Sequence, residues 1–198
     1  DVLVPLGMHR TFFLADEVLA DGDYAYGDTA HWDTGEPLIV GPESYDSPWG
    51  RPAGFAWSSV LDLARFVAFL RDGAPAVLGD EWRAAMMAPQ RNMETLVDLR
   101  HYGYGLFVMQ GLFLGEAFYD LTVIQHGGAI HGYAADVYWI PELDVGLVTL
   151  ASTDGAYFSD SLVVALETLC DLPPPSTPPD LTVDPADFDL YVGSYDDP

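Results

Sequence analysis

The chain of 198 residues contains no lysine; seven arginines stand against 31 acidic residues, for a formal net charge of −24. A field of that sign repels nucleic acid and anionic membranes, so neither is expected as a partner. The acidity reads as a solvated surface, not as a binding site. Cysteine is almost absent: the single Cys170 excludes an internal disulfide and reads as a structural thiol on an apolar helix face. Asparagine occurs once, at Asn92. There is no basic-plus-apolar leader and no apolar run of membrane-spanning length, so no membrane span is expected within these residues.

What is present is apolar material: 49% of the residues are hydrophobic, enough for one good-sized domain, or one domain and a fragment of another. Residues 1–51 are rich in Gly, Pro, Asp, Tyr and Trp and read as a long irregular or short-stranded excursion. A helix follows. Ser59 with Asp62 makes a capping-box-like start, Val60, Leu63, Ala64, Val67 and Leu70 recur at helical spacing, and Gly73 ends it. A shorter helix spans about residues 80–88 and stops at Pro89. The pattern then changes to strands at 104–108, 121–126, 133–140 and 145–151. The last two are joined as a hairpin across Pro141 to Asp144. That order implies an antiparallel meander, and a helix from Ser159 or Asp160, with Leu162, Val163, Leu166, Leu169 and Cys170 on one face, would cover it. Residues 173–185 form a proline-rich linker, and residues 186–198, with Leu190, Tyr191, Val192, Gly193, Ser194 and Tyr195, read as the first strand of another domain.

The candidate chemistry lies at Gln125, His126, Gly127, Gly128 and Ala129, after the β-branched run of Leu121, Thr122, Val123 and Ile124. Two glycines inside a strand pattern mark a place where a ligand or another backbone comes close. His126, Gly127 and Gly128 therefore read as a cleft wall, with the Ala129 N–H as a donor towards it. The plain alternative is a turn in which the imidazole caps a carbonyl. A metal held by His126, His131 and Asp136 is disfavoured, because an i, i+5 pair on a strand points to opposite faces. No metal or cofactor is expected. His9, His31 and His101 read as surface residues. Ser58 and Ser59 lack the glycine pattern of a nucleophile elbow, and capping explains them. Tyr133, Trp49, Trp57 and Tyr104 suit either an apolar acyl pocket or ordinary packing.

Pro5-Leu6-Gly7-Met8, Pro52-Ala53-Gly54 with Ser58-Ser59 and Asp62-Leu63-Ala64-Arg65-Phe66, Tyr102-Gly103-Tyr104-Gly105, and His126-Gly127-Gly128 with Gly132-Tyr133 and Pro141 fall in a recognisable order. Together they resemble the serine β-lactamase-related family, which includes class C β-lactamases, penicillin-binding DD-peptidases and esterases of the same fold. The resemblance covers roughly residues 1–172. It implies an α+β fold (an α/β sandwich), an antiparallel β-sheet flanked by helices, β-lactamase/transpeptidase-like and incomplete at its N-terminus. Residues 186–198 would open the lipocalin-like β domain that follows the catalytic domain in many members.

The resemblance also implies a three-part site: a Ser-x-x-Lys helix, a Tyr-x-Asn loop and a Lys/His-x-Gly strand. Only the third is found in this sequence. The chain lacks lysine, and Asn92 has Gln90 two positions before it. The expectation is the C-terminal part of a catalytic domain whose parent is a serine hydrolase acting through an acyl-enzyme. His126, Gly128 and Ala129 are its catalytic candidates; Gly127 and Tyr133 are its substrate-binding candidates. Glycine at 127, where β-lactam-active members commonly carry a hydroxyl, tilts the expectation towards an esterase or peptidase and away from an efficient β-lactamase. The substrate is a small ester, peptide or lactam, and the compartment implied is periplasmic or secreted. A non-catalytic binding or scaffold module is the alternative. An incomplete domain would expose sheet surface and associate with its N-terminal complement or with itself.

Overall fold

The computed structural model describes residues 2–93, 99–180 and 192–194. Most of the expected second-domain strand lies outside the described residues. The irregular or short-stranded expectation for residues 1–51 is met by two short strands, but a helix also forms there. A helix α1, Ala15–Asp21, and a two-stranded antiparallel sheet, β1 (Gly27–Ala30) with β2 (Pro37–Val40), stand inside it. The short helix α1 is held by caps instead of a long apolar stripe. Glu17 Oε2 accepts the Leu14 N–H, and Gly22 closes the helix at φ 77°.

Helix α2, Val60–Asp72, begins and ends where its caps place it: Ser59 Oγ accepts the Asp62 N–H at 3.2 Å and Gly73 follows the last turn. The return half of the capping box is not made. The buried Asp62 carboxylate instead accepts from Arg10 N–H at 2.7 Å, Thr11 Oγ1 at 3.0 Å and Arg65 Nη1 at 2.7 Å, tying the N-terminal segment to the first turn. Val60 and Ala64, expected on the apolar face, are exposed; the buried apolar residues of the helix are Val67, Phe69 and Leu70. Helix α3 is Asp80–Met86.

Six antiparallel strands follow as a meander in chain order: β3 (Arg91–Asn92), β4 (Arg100–Tyr102), β5 (Phe107–Leu114), β6 (Ala117–Ile130), β7 (Tyr133–Ile140) and β8 (Val145–Ala151). The strand expected at 104–108 is displaced to β5. Tyr104 donates its N–H to Met86 O, and Gly105, at φ 75°, turns the chain before pairing begins. The strand expected to close at His126 runs on to Ile130, since β7 keeps its ladder through both glycines.

Alternation on β6 explains why its apolar run is continuous. Ile124 joins Trp139, Val108, Leu106 and the α2 residues on one face of the sheet. Val123 and Leu121 join Ile140, Leu114 and the helix α4 (Ser159–Leu169) on the other. A strand buried on both faces needs apolar residues at every position, and each fully buried Leu or Ile contributes about 1.5–3 kcal/mol. On α4, Leu162 and Leu166 are buried but Leu169, expected on the same face, is 75% exposed beside the β7–β8 turn. Cys170 is half-buried against that face. Beyond the helix, Ser176 donates its N–H to Phe118 O at 2.7 Å, so the proline-rich segment lies against the start of β6.

Candidate active site

The edges of β6 differ along its length. Pairing with β5 ends at Phe107 opposite Gln125, whereas pairing with β7 continues to Ile130 opposite Tyr133. Among the described residues, 126–130 therefore have a ladder partner on one side only. Backbone groups alternate sides along an antiparallel strand. The Thr122 N–H donates to Glu142 Oε1, beyond the β7 end of the pair, and Gln110, opposite Thr122, turns its own N–H away to Leu99 O. Even-numbered positions of this stretch thus face β7. Gly127 and Ala129 present their N–H and C=O groups to the open edge.

His126 stands at the point where β5 leaves. Its exposed ring lies 5.2 Å from the Phe107 ring and 6.1 Å from that of Tyr102. Nδ1 is 2.7 Å from Gly127 O, and Nε2 is 3.2 Å from the Tyr102 hydroxyl. A carbonyl only accepts, so Nδ1 carries the hydrogen, and in the neutral ring Nε2 accepts from Tyr102. The ring is oriented from both ends and lies across the open edge.

The two glycines differ. A Cβ at Gly127 would collide with Asp136 Oδ1, because Asp136 lies directly opposite on β7 and leans its carboxyl over the glycine. A Cβ at Gly128 would meet open space. Gly127 is thus required by its neighbour, while Gly128 leaves room on the face shared with His126. Burial pushes the Asp136 carboxyl above its ordinary range, and the Tyr138 hydroxyl, hydrogen-bonded to it, is pushed up to about 12, chiefly by burial.

The hairpin tip is pinned by the N-terminal region. The Tyr133 hydroxyl donates towards Ala25 O and Val40 O, each at 3.0 Å, and its ring packs on Trp57 at 5.0 Å. Tyr45 donates to His131 O at 2.5 Å. Asp154 accepts from the Gly132 N–H and pairs with Thr29 Oγ1, which lowers its pKa; the exposed His131 stands 3.7 Å away. Tyr133 is therefore anchored through its hydroxyl.

The structure brings His126, Gly127, Gly128 and Ala129 together along one edge. Trp57 and Tyr133 meet, while Trp49 (94%) and Tyr104 (58%) are exposed. Among the described residues no group of three or more His, Cys, Asp or Glu side chains could hold a metal ion. No helix among them is long and apolar enough to cross a membrane. Ser59 caps α2, and Ser58 Oγ is hydrogen-bonded to Thr11 Oγ1 at 2.8 Å. Sequence reasoning missed the partnership of Tyr102 with His126. The signal was the Tyr102-Gly103 pair, but only the β4–β5–β6 register shows that it points at the histidine.

Comparison with known proteins identifies the family. The model of the beta-lactamase family matches residues 1–167. A human "beta-lactamase-like 1" protein is 31% identical over 157 residues, and a protein of Aspergillus campestris named as an unguisins hydrolase is 26% identical over 159. These matches take in 76% and 75% of this chain but 27% of each relative, so the chain spans about a quarter of their length. The octameric penicillin-binding protein homologue from Pyrococcus abyssi superposes on 85% of this chain and 35% of its own, with a TM-score of 0.69 and 28% identity. With the family model covering most of its length and this antiparallel sheet between helices, the chain belongs to the beta-lactamase family.

Proposed function

We propose that this chain is the C-terminal part of a serine hydrolase that attacks an ester or amide through an acyl-enzyme. The reading is carried by one observation: the Ala129 N–H faces an edge of β6 that has no neighbouring strand among the described residues, beside an oriented histidine. When a serine attacks a carbonyl, negative charge gathers on the carbonyl oxygen, and fixed N–H donors stabilise it strongly in a dry cleft. In this reading Ala129 N–H is one such donor and the nucleophile's own N–H the other. His126, held by Tyr102, orders the polar network around the leaving group. Gly128 keeps the face beside it open.

The nucleophile and its base would come from sequence outside these residues, which hold no lysine. Gly127 offers no hydroxyl to a substrate carboxylate, which favours an esterase or peptidase over an efficient β-lactamase. One matched relative is itself named a hydrolase. Exposed apolar side chains at Leu61, Val164 and Leu169 support association with the rest of the domain or with a second copy.

The test is treatment of the full-length protein with a fluorophosphonate probe, followed by peptide mapping. A labelled serine whose modification abolishes ester hydrolysis supports the reading. No labelled serine and no hydrolysis would leave a binding or scaffold module.

A further inference from the structure

Gly127 is made necessary by the residue opposite it, and that residue carries charge. Asp136 Oδ1 occupies the volume in which a side chain at 127 would begin. Gly127 and Asp136 are direct partners in the β6–β7 register, so the carboxyl lies over β6 at Gly127, on the face that Ala129 shares two residues on. Its hydrogen-bond partner is Tyr138, two residues on and on the same face. The charged groups that bear on it are few: the His126 imidazole acts on it, and no arginine is paired with it among the described ion pairs. The slot at position 127 is therefore filled by an acid.

We propose that Asp136 is a specificity-determining residue, which sets the site against substrates carrying a carboxylate next to the scissile bond and towards those carrying an ammonium or a neutral donor there. The inference rests on the hydrolase reading above. A like charge placed against a substrate anion in a partly desolvated position costs binding, and an opposite charge adds to it. Asp136 touches no reacting bond. It acts on which substrate is held, so its effect falls on KM before kcat.

The experiment uses the full-length protein with three p-nitrophenyl esters whose acyl groups match in size and carry a methyl, an ammonium or a carboxylate on the carbon beside the ester carbonyl. The native protein should favour the ammonium ester over the carboxylate ester in kcat/KM. The near-isosteric Asp136→Asn should shrink that preference by roughly tenfold or more, through KM, while the methyl ester changes little. A second arm tests the packing directly. Gly127→Ser should be destabilised alone, and Asp136→Ala should restore the double variant. If Asp136→Asn is folded and active with an unchanged ammonium-to-carboxylate ratio, the inference is overturned and the hydrolase reading stands. Absence of serine labelling and of hydrolysis with all three esters overturns both.

Discussion

The two halves of β6 are one continuous strand in two environments. From Leu121 to Ile124 it is packed on both faces, with β5 alongside from Thr122 and β7 joining at Ile124: Val123 is 0% exposed and Ile124 2%. From His126 to Ile130 it keeps β7 and loses β5, and its side chains turn exposed or half-exposed. The backbone conformation is extended throughout; what changes is the neighbour. Loss of one neighbouring strand leaves N–H groups on an open edge, and the rest of the chain holds that edge in place. The pins are the Tyr102–His126 bond below and the Tyr133, Tyr45 and Asp154 anchors above.

This contrast can be broken in order of effect. In the lower half, Ile124→Ala should destabilise the protein by about 2–5 kcal/mol, read as a fall in denaturation midpoint, because the cavity opens between α2 and the sheet. Across the boundary, Gly127→Ala should cost about 1–3 kcal/mol by overpacking against Asp136. Its neighbour Gly128→Ala should stay within about 0.5 kcal/mol, because a Cβ there meets open space. Equal costs at the two glycines would refute the assignment of Asp136 to the 127 slot. Tyr102→Phe should remove about 0.5–1.5 kcal/mol at most, since the lost hydrogen bond is exposed. Its larger signature should be loss of the fixed ring orientation, followed by the His126 ring nitrogen shifts.

The smallest effect is one of pH. Hydrogen bonds from Thr29 and then Gly132 hold the Asp154 carboxyl below its ordinary value of 3.8. A carboxyl depressed in the folded state binds protons more weakly than when unfolded. Its contribution is therefore fully present above pH 3.8 and is lost as pH falls through the lowered folded value. Protection of the Gly132 amide should decline over that acid window before that of Val123. Simultaneous loss would mean that the hairpin tip is not separately anchored.

The sequence shows some of this plainly and hides the rest for identifiable reasons. Strands β7 and β8 are visible at both ends because Gly132, Pro141 and Asp144 bracket them. The boundaries of α2 follow from Ser59 and Gly73. The family and the His126 to Ala129 stretch are legible because the motifs occur in order. The extension of β6 through the glycines is not, since its ladder depends on β7, which lies later in the chain. Asp136 over Gly127 and Tyr102 on His126 depend on cross-strand register, which no local pattern carries. For the same reason Asp136 draws notice in the sequence only as a poor metal ligand.

The central claim is that the Ala129 N–H on the open edge stabilises the reacting oxygen. Proline at an unpaired edge removes the donor without removing a ladder bond. In the full-length protein, Ala129→Pro should lower kcat for an activated ester by about 10²–10³-fold, while Ala129→Gly, which keeps the N–H, stays within about threefold. If Ala129→Pro, folded with an unchanged denaturation midpoint, hydrolyses the ester as fast as Ala129→Gly does, the open edge of β6 is not where the charge is held and the account fails.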